Sequence, residues 1–221
     1  MAGKRTKSSD RWLQRQKKDY FARRAREEGH VSRAHFKLAE MHEKFNLITR
    51  ASVVLELGAA PGGWTSYIEE RLSSKRGLVV VDPLPITCGA HTVVVEGFAG
   101  EKETDLAISA ALSEFEGARP VDLVLSDMAP NMSGVRAVDQ ARSMELADVS
   151  LGTCRAFLRA GGGLTLKVFQ GEGLDDWVSA RRQAFKKVVM TKPKASRPES
   201  REVFVVCRGY VPAQDDTDSL V

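Results

Sequence analysis

The chain has 221 residues, 43% of them hydrophobic, with 33 Lys and Arg against 29 Asp and Glu for a formal net charge of +4. That length buries one good core, so a single domain with at most a short appendage is expected. No run approaches the ~18 apolar residues of a membrane span, the heavily charged first thirty residues exclude a secretory signal, and three scattered cysteines (Cys88, Cys154, Cys207) suggest neither a disulfide framework nor a metal cluster, so a cytoplasmic, metal-free protein is expected.

The basicity is local. Residues 1–37 hold 12 Lys or Arg against 4 Asp or Glu, whereas the remainder holds 21 against 25. Trp12, Tyr20 and Phe21 are interleaved with these cations, a pattern that suits an RNA backbone with occasional base stacking. A solvated, partly helical leader without a partner is the alternative. Residues 1–28 are therefore read as a basic, partly disordered RNA-binding leader, 29–211 as the main domain and 212–221 as a disordered tail.

Short Val- and Leu-rich runs then recur at 51–57, 77–82, 91–96, 121–127 and 161–169, each bounded by Gly, Pro, Ser or Asp. Between them lie helix-length segments: Gly63 to Leu72, about Glu101 to Phe115, about Val138 to Arg159, and about Leu174 to Phe185. Strand alternating with helix predicts a mostly parallel α/β sheet with helices on both faces. The last two runs, 186–193 and 201–210, are joined by a segment too short for a helical crossover and should pair antiparallel.

In such a sheet the ligand lies beyond the carboxyl ends of the strands, and the first strand-to-helix turn is its usual cradle. Here that turn reads GAAPGGW, so Gly58, Gly62 and Gly63 let a ligand approach main chain and Pro61 stiffens the bend. Asp82 ends the second strand 19 residues after Gly63, where a carboxylate accepts hydrogen bonds from the hydroxyls of an adenosine ribose. The dinucleotide fingerprint is incomplete and no GK[ST] follows, which leaves a dinucleotide or S-adenosyl-L-methionine as the candidate ligand. For the latter, the turn, Asp82 and the region of Phe98 offer the needed surfaces. Trp64 either walls the methionyl side or is a core aromatic at the helix start.

Two later strands carry chemistry to the same rim. The segment LVLSDMAPN ends its strand at Asp127, and Lys167 interrupts the apolar run GGGLTLKVF, where an unpaired ammonium would be costly. Lys167 is either a reactive amine or the partner of Asp127 in a salt bridge. Lys37, in SRAHFKLAE, opens the first helix after the leader, and Glu202 stands at the mouth of the last strand. Arg33, Arg136, Lys192, Lys194 and Arg197 add positive charge around the rim.

The glycine turn, SDMAPN, LKVFQG and SREVFVV, in this order from about Trp12 to Tyr210, resemble the FtsJ/RrmJ (RlmE-type) family of 2′-O-ribose methyltransferases of large-subunit ribosomal RNA. The resemblance implies a Rossmann-like methyltransferase fold, a seven-stranded, mostly parallel sheet with an antiparallel last strand. It implies a Lys37–Asp127–Lys167–Glu202 catalytic tetrad, with Lys167 as the candidate general base. It also implies S-adenosyl-L-methionine held by Gly58, Gly62, Gly63, Trp64, Asp82, Phe98 and Asp127, and methylation of a uridine ribose on assembling large ribosomal subunits by a monomeric enzyme. A transfer-RNA ribose methyltransferase and a non-catalytic RNA-binding assembly factor are the alternatives. The family usually has GDF after the third strand where this chain has EGF (Glu96, Gly97, Phe98), so main-chain groups at Gly97 and Phe98 are expected to replace an acid near the adenine. Glu96, one residue earlier, should face the other side of an extended backbone.

Overall fold

A computed structural model describes residues 19–49, 53–72, 77–115 and 120–213. Trp12, the basic leader as far as Lys18, residues 51 and 52 of the first expected strand, and the tail from Gln214 lie outside the described residues. The helices are α1 (Tyr20–Glu27), α2 (Ala34–Phe45), α3 (Gly63–Glu69), α4 (Lys102–Ser113), α5 (Arg136–Phe157) and α6 (Leu174–Arg181). The strands are β1 (Val54–Leu57), β2 (Leu78–Asp82), β3 (Thr92–Glu96), β4 (Val121–Ser126), β5 (Leu158–Phe169), β6 (Phe185–Thr191) and β7 (Glu202–Tyr210).

The strands form one sheet in the order β3-β2-β1-β4-β5-β7-β6. Strands β1 to β5 pair in parallel, while β7 enters between β5 and β6 and runs antiparallel to both. Strand order reverses between β1 and β4, which opens a crevice at their carboxyl ends.

Alternation along the strands sorts the core into two layers. Leu55, Leu57, Val79, Val81, Val124, Leu164, Leu166 and Val205 face the layer of α4, α5 and α6, with Ile108, Leu151 and Trp177. Val54, Val80, Leu123, Leu125 and Phe204 face the layer of α2 and α3, with Leu38, Met41, Trp64 and Ile68. Buried runs dominated by Val and Leu are what a sheet covered on both faces requires; buried Glu56 and Thr165 are exceptions within them.

Some boundaries differ from the sequence reading. Helix α3 stops at Glu69, short of Leu72. Helix α5 ends at Phe157 because Leu158 is already extended and paired with Val121, with a register shift before Leu123 meets Gly163. Helix α6 ends at Arg181, and Phe185 instead begins β6, its buried ring 5.2 Å from that of Tyr210. The final residues of the basic leader form α1, capped by Asp19, whose Oδ1 accepts from the Ala22 amide at 3.2 Å. Ala25 and Phe21 of α1 pack on Phe36 and Ala195, and Lys37 lies in the first turn of α2, the first helix after the leader.

Candidate active site

Beyond Leu57 the chain turns through Gly58 (φ +71°), a cis Ala60–Pro61 peptide and Gly62 (φ +112°) before α3 starts at Gly63. A Cβ on Gly58 would stand 2.8 Å from the Met128 backbone, one on Gly62 would collide with the Thr87 carbonyl oxygen, and one on Gly63 with the Ser32 hydroxyl. The sequence reading gave these glycines to ligand approach alone. They also let three loops close on the turn, which fixes its shape.

Asp82 holds the turn from the side. Its Oδ2 accepts from the Ala60 amide at 3.0 Å and its Oδ1 from the Leu84 amide at 2.9 Å. Each carboxylate oxygen keeps lone-pair capacity for a ribose hydroxyl. Phe98 projects past β3 with 60% of its surface exposed, an apolar face suited to a purine. A Cβ at Gly97 would collide with the hydroxyl of buried Thr104, which accounts for glycine there in packing terms. Glu96 pairs in register with Asp82 and so shares its sheet face, opposite to the side toward which a Cβ at Gly97 would point, that of Thr104.

Trp64 departs from the expected wall of a cofactor pocket. Its indole is 1% exposed, donates Nε1–H to the Ala34 carbonyl at 2.9 Å and lies 5.8 Å from the Phe204 ring. The side chain therefore joins α3 to α2 and the sheet, and only backbone at this position is left to face a ligand.

The four expected catalytic side chains share the α2/α3 face. Asp127 follows Leu123 and Leu125 in alternation, Lys167 is opposite Phe204 in the β5–β7 register, and Glu202 is two residues before Phe204 on the same side. Lys37 descends onto that face from α2, buried to 8%. Lys167 Nζ donates to the Asp127 carbonyl at 2.6 Å and lies 3.0 Å from its carboxylate Oδ1, which has no other partner among the described residues. Lys37 Nζ lies 2.5 Å from Glu202 Oε1, and the same oxygen accepts from the Ser196 hydroxyl at 2.8 Å. Burial works to raise the Glu202 carboxyl, but Lys37, Ser196 and the charge of Lys167 outweigh it and hold it below the usual range. The two ion pairs lie on the same sheet face, with Lys167 and Glu202 on the adjacent strands β5 and β7. Both amines have well under a fifth of their side-chain surface exposed, which is tolerable only because each is paired.

Three features escaped the sequence reading. Ser196 supports Glu202 from the β6–β7 loop, and serine in such a loop carries no signal of its own. Glu56 in β1 is buried, bonded by the Thr65 hydroxyl at 2.8 Å, and pushed up to about 8 by burial, with Asp127, Glu69 and Asp82 adding to the shift. An acid inside the run VVLEL was the available clue. His30, His35 and Glu70 bring one candidate metal-ligand atom each within 4.8 Å of one another, at spacings that match no familiar motif. Lys192, expected to add positive charge around the rim, donates to the carbonyls of Pro198 and Ser200 at 3.2 and 2.6 Å.

A family model described as FtsJ-like methyltransferase matches residues 30–210. The chain belongs to the FtsJ-like methyltransferase family. The cofactor of these enzymes is S-adenosyl-L-methionine, and the turn, Asp82 and Phe98 fit it: glycines at left-handed φ, a ribose carboxylate with spare acceptors, and an exposed aromatic face. Ribosomal RNA large subunit methyltransferase E of Stutzerimonas stutzeri (strain A1501) is 42% identical over 207 residues, 94% of this chain and 98% of that protein. Among solved structures, a Plasmodium falciparum protein described as a ribosomal RNA methyltransferase matches with a TM-score of 0.74 at 23% identity, covering 83% of this chain and all of that one. Aeropyrum pernix fibrillarin with natively bound S-adenosyl-L-methionine matches with a TM-score of 0.51 at 13% identity, over 77% of this chain and 73% of that one. These structural likenesses speak for the fold. No helix among the described residues is long and apolar enough to cross a membrane.

Proposed function

We propose that the protein methylates the 2′-hydroxyl of a ribose, that of a uridine, in large-subunit ribosomal RNA, acting as a monomer on assembling particles in the cytoplasm. The observation that carries this reading is the pairing of Lys167 with Asp127 and of Lys37 with Glu202 on one sheet face, next to the glycine turn. The similarity to a ribosomal RNA large subunit methyltransferase over nearly the whole of both chains supports the substrate.

When bound, S-adenosyl-L-methionine supplies an electrophilic methyl group. The tasks left to the protein are to aim a sugar oxygen and to take its proton. Orientation alone supplies a large part of the acceleration in such a transfer. Asp127 holds Lys167 by its backbone carbonyl and carboxylate, so the amine is fixed in direction while part of its valence stays free. In this reading Lys167 acts through its neutral amine. The neutral amine would accept the hydroxyl proton and become an ammonium, freeing the 2′-oxygen for a methyl group whose bond to the cofactor sulfur would break with the electron pair leaving on sulfur. Lys37, anchored by Glu202, places a second positive charge where the oxygen becomes electron-rich.

The test is transfer of tritium from labelled cofactor to large ribosomal subunits isolated from cells lacking this gene, followed by mapping of the methylated ribose. Label in one uridine 2′-position of large-subunit RNA is expected. Label on a base rather than a ribose, or no label in the particles, would overturn the proposal.

A further inference from the structure

A cleft of about 400 Å³ lies between α1 and the β6–β7 loop, lined by Tyr20, Phe21, Arg33, Lys194, Ser196 and Arg197, together with the carboxylates of Asp19 and Glu199. We propose that this cleft is a subsite for a nucleotide next to the one that is methylated, with Tyr20 stacking on its base and Arg197 and Lys194 facing its phosphate. The proposal rests on RNA being the substrate, as argued above.

Tyr20 is 57% exposed, yet it is rigidly mounted. Its neighbour Phe21 is packed with Ala25, Phe36 and Ala195, and the Tyr20 ring is braced edge-on against Phe21 at 5.2 Å. A rigidly held, exposed aromatic ring beside cations is the pattern of a base-stacking platform. The cleft holds three cations against two carboxylates. Asp19 is shared between Arg33 and Arg197, the latter at 3.2 Å, so one carboxylate orients two guanidinium groups without neutralising both. Burial and then the neighbouring Arg197 both work against the charge on Arg33, as expected where cations are in excess. Arg197 keeps 35% of its side chain exposed, so it can meet a phosphate as well as Asp19.

The cleft also borders the reaction site. Ser196 lines it, and the Ser196 hydroxyl donates to the same Glu202 oxygen that holds Lys37. An occupant is thus one side chain removed from the tetrad, the separation expected of a neighbouring nucleotide. The wall is preformed. Lys192 ties the loop to itself through the carbonyls of Pro198 and Ser200, and the Lys194 amide donates to Glu40 Oε2 at 2.7 Å, which fastens the loop to α2.

The test uses the full chain and a single-stranded RNA nonamer with a central 2-aminopurine. Wild type and Tyr20→Phe should bind it and quench its fluorescence. Tyr20→Ala should bind roughly 5- to 100-fold more weakly, the range for losing one stacked base, with the quench lost and the melting temperature unchanged. Arg197→Ala should weaken binding and reduce the slope of log affinity against log salt by about 0.7. Equal binding and quenching by Tyr20→Ala, or displacement of the RNA by an acidic peptide at similar concentration, would overturn the subsite. In the methyl-transfer assay, Tyr20→Ala should raise KM for the particles and leave kcat within about twofold of wild type. Methyl transfer with an unchanged KM in that variant sinks the subsite and leaves the reaction standing. Tyr20-dependent quenching without any methyl transfer by wild type does the reverse.

Discussion

Replacing Glu56 by glutamine should leave the folded chain about as stable as wild type near pH 4.5 and clearly more stable at pH 8. The carboxyl is 1% exposed and keeps its proton to about pH 8 in the folded chain, against an ordinary value of 4.5. Its folded-state affinity for the proton is raised, so the stability it contributes is complete below about pH 4.5 and is lost as pH rises toward 8. Each pH unit in that window costs roughly 1.4 kcal/mol, which makes the expected gain from glutamine about 3 kcal/mol at pH 7 and about 4 kcal/mol at pH 8. Glutamine keeps the shape and can still accept from Thr65, so the two proteins should agree within about 1 kcal/mol at low pH. Urea unfolding of both proteins at pH 5, 7 and 8, followed by tryptophan fluorescence, measures the difference. All other titrating groups are common to the two chains and cancel. A gap that stays constant with pH would refute the reasoning, because it would mean that Glu56 carries the same charge folded and unfolded.

Lys167→Ala should lower methyl transfer by at least about 100-fold, the scale of a lost general base, while calorimetric cofactor affinity changes little. Lys167→Arg should not rescue, since guanidinium keeps its proton near neutrality, and the wild-type rate should climb with pH when chemistry is limiting; a flat profile would leave Lys167 a steering charge only. Trp64→Phe should cost about 1 kcal/mol of stability through the lost hydrogen bond to the Ala34 carbonyl, and should leave cofactor affinity intact, a split that a wall residue would reverse in titration calorimetry. Gly62→Ala should weaken cofactor binding at least about tenfold, because left-handed backbone and the Thr87 carbonyl both oppose a Cβ, and a strain of about 1–3 kcal/mol falls on the turn; unchanged affinity would show that the turn adapts.

What the sequence disclosed and what it withheld divide along physical lines. Strand and helix alternation is a local property, so the runs around β1, β2, β3 and β4 were legible from Val and Leu periodicity, and the short 194–200 connection required β7 to turn back on β6. Lys167 stood out as a lysine inside an apolar strand and Asp127 as an acid at a strand end, while the grouping of these two with Lys37 and Glu202 came from the family resemblance; the structure adds that the four form two ion pairs. Side-chain destination was not legible. Whether Trp64 meets a ligand or the core depends on α2 lying across it, and α2 is thirty residues away in sequence. Helix ends at Phe157 and Arg181 depended on which neighbouring strand captured Leu158 and Phe185. Alternation along one strand was enough to put Glu96 on the opposite side from position 97, but its neighbour, Asp82, is set by the register between two strands and was not legible.

The insertion of β7 between β5 and β6 bears on biosynthesis. Strands β5 and β6 emerge first but do not pair with each other, and each must wait for the same later segment to bridge them. That segment also carries Glu202, the anchor of Lys37. A chain that has not yet reached β7 therefore has Lys37 without its carboxylate partner and the sheet still split. Closing the sheet and completing the Lys37–Glu202 pair are one event in the folding of this chain.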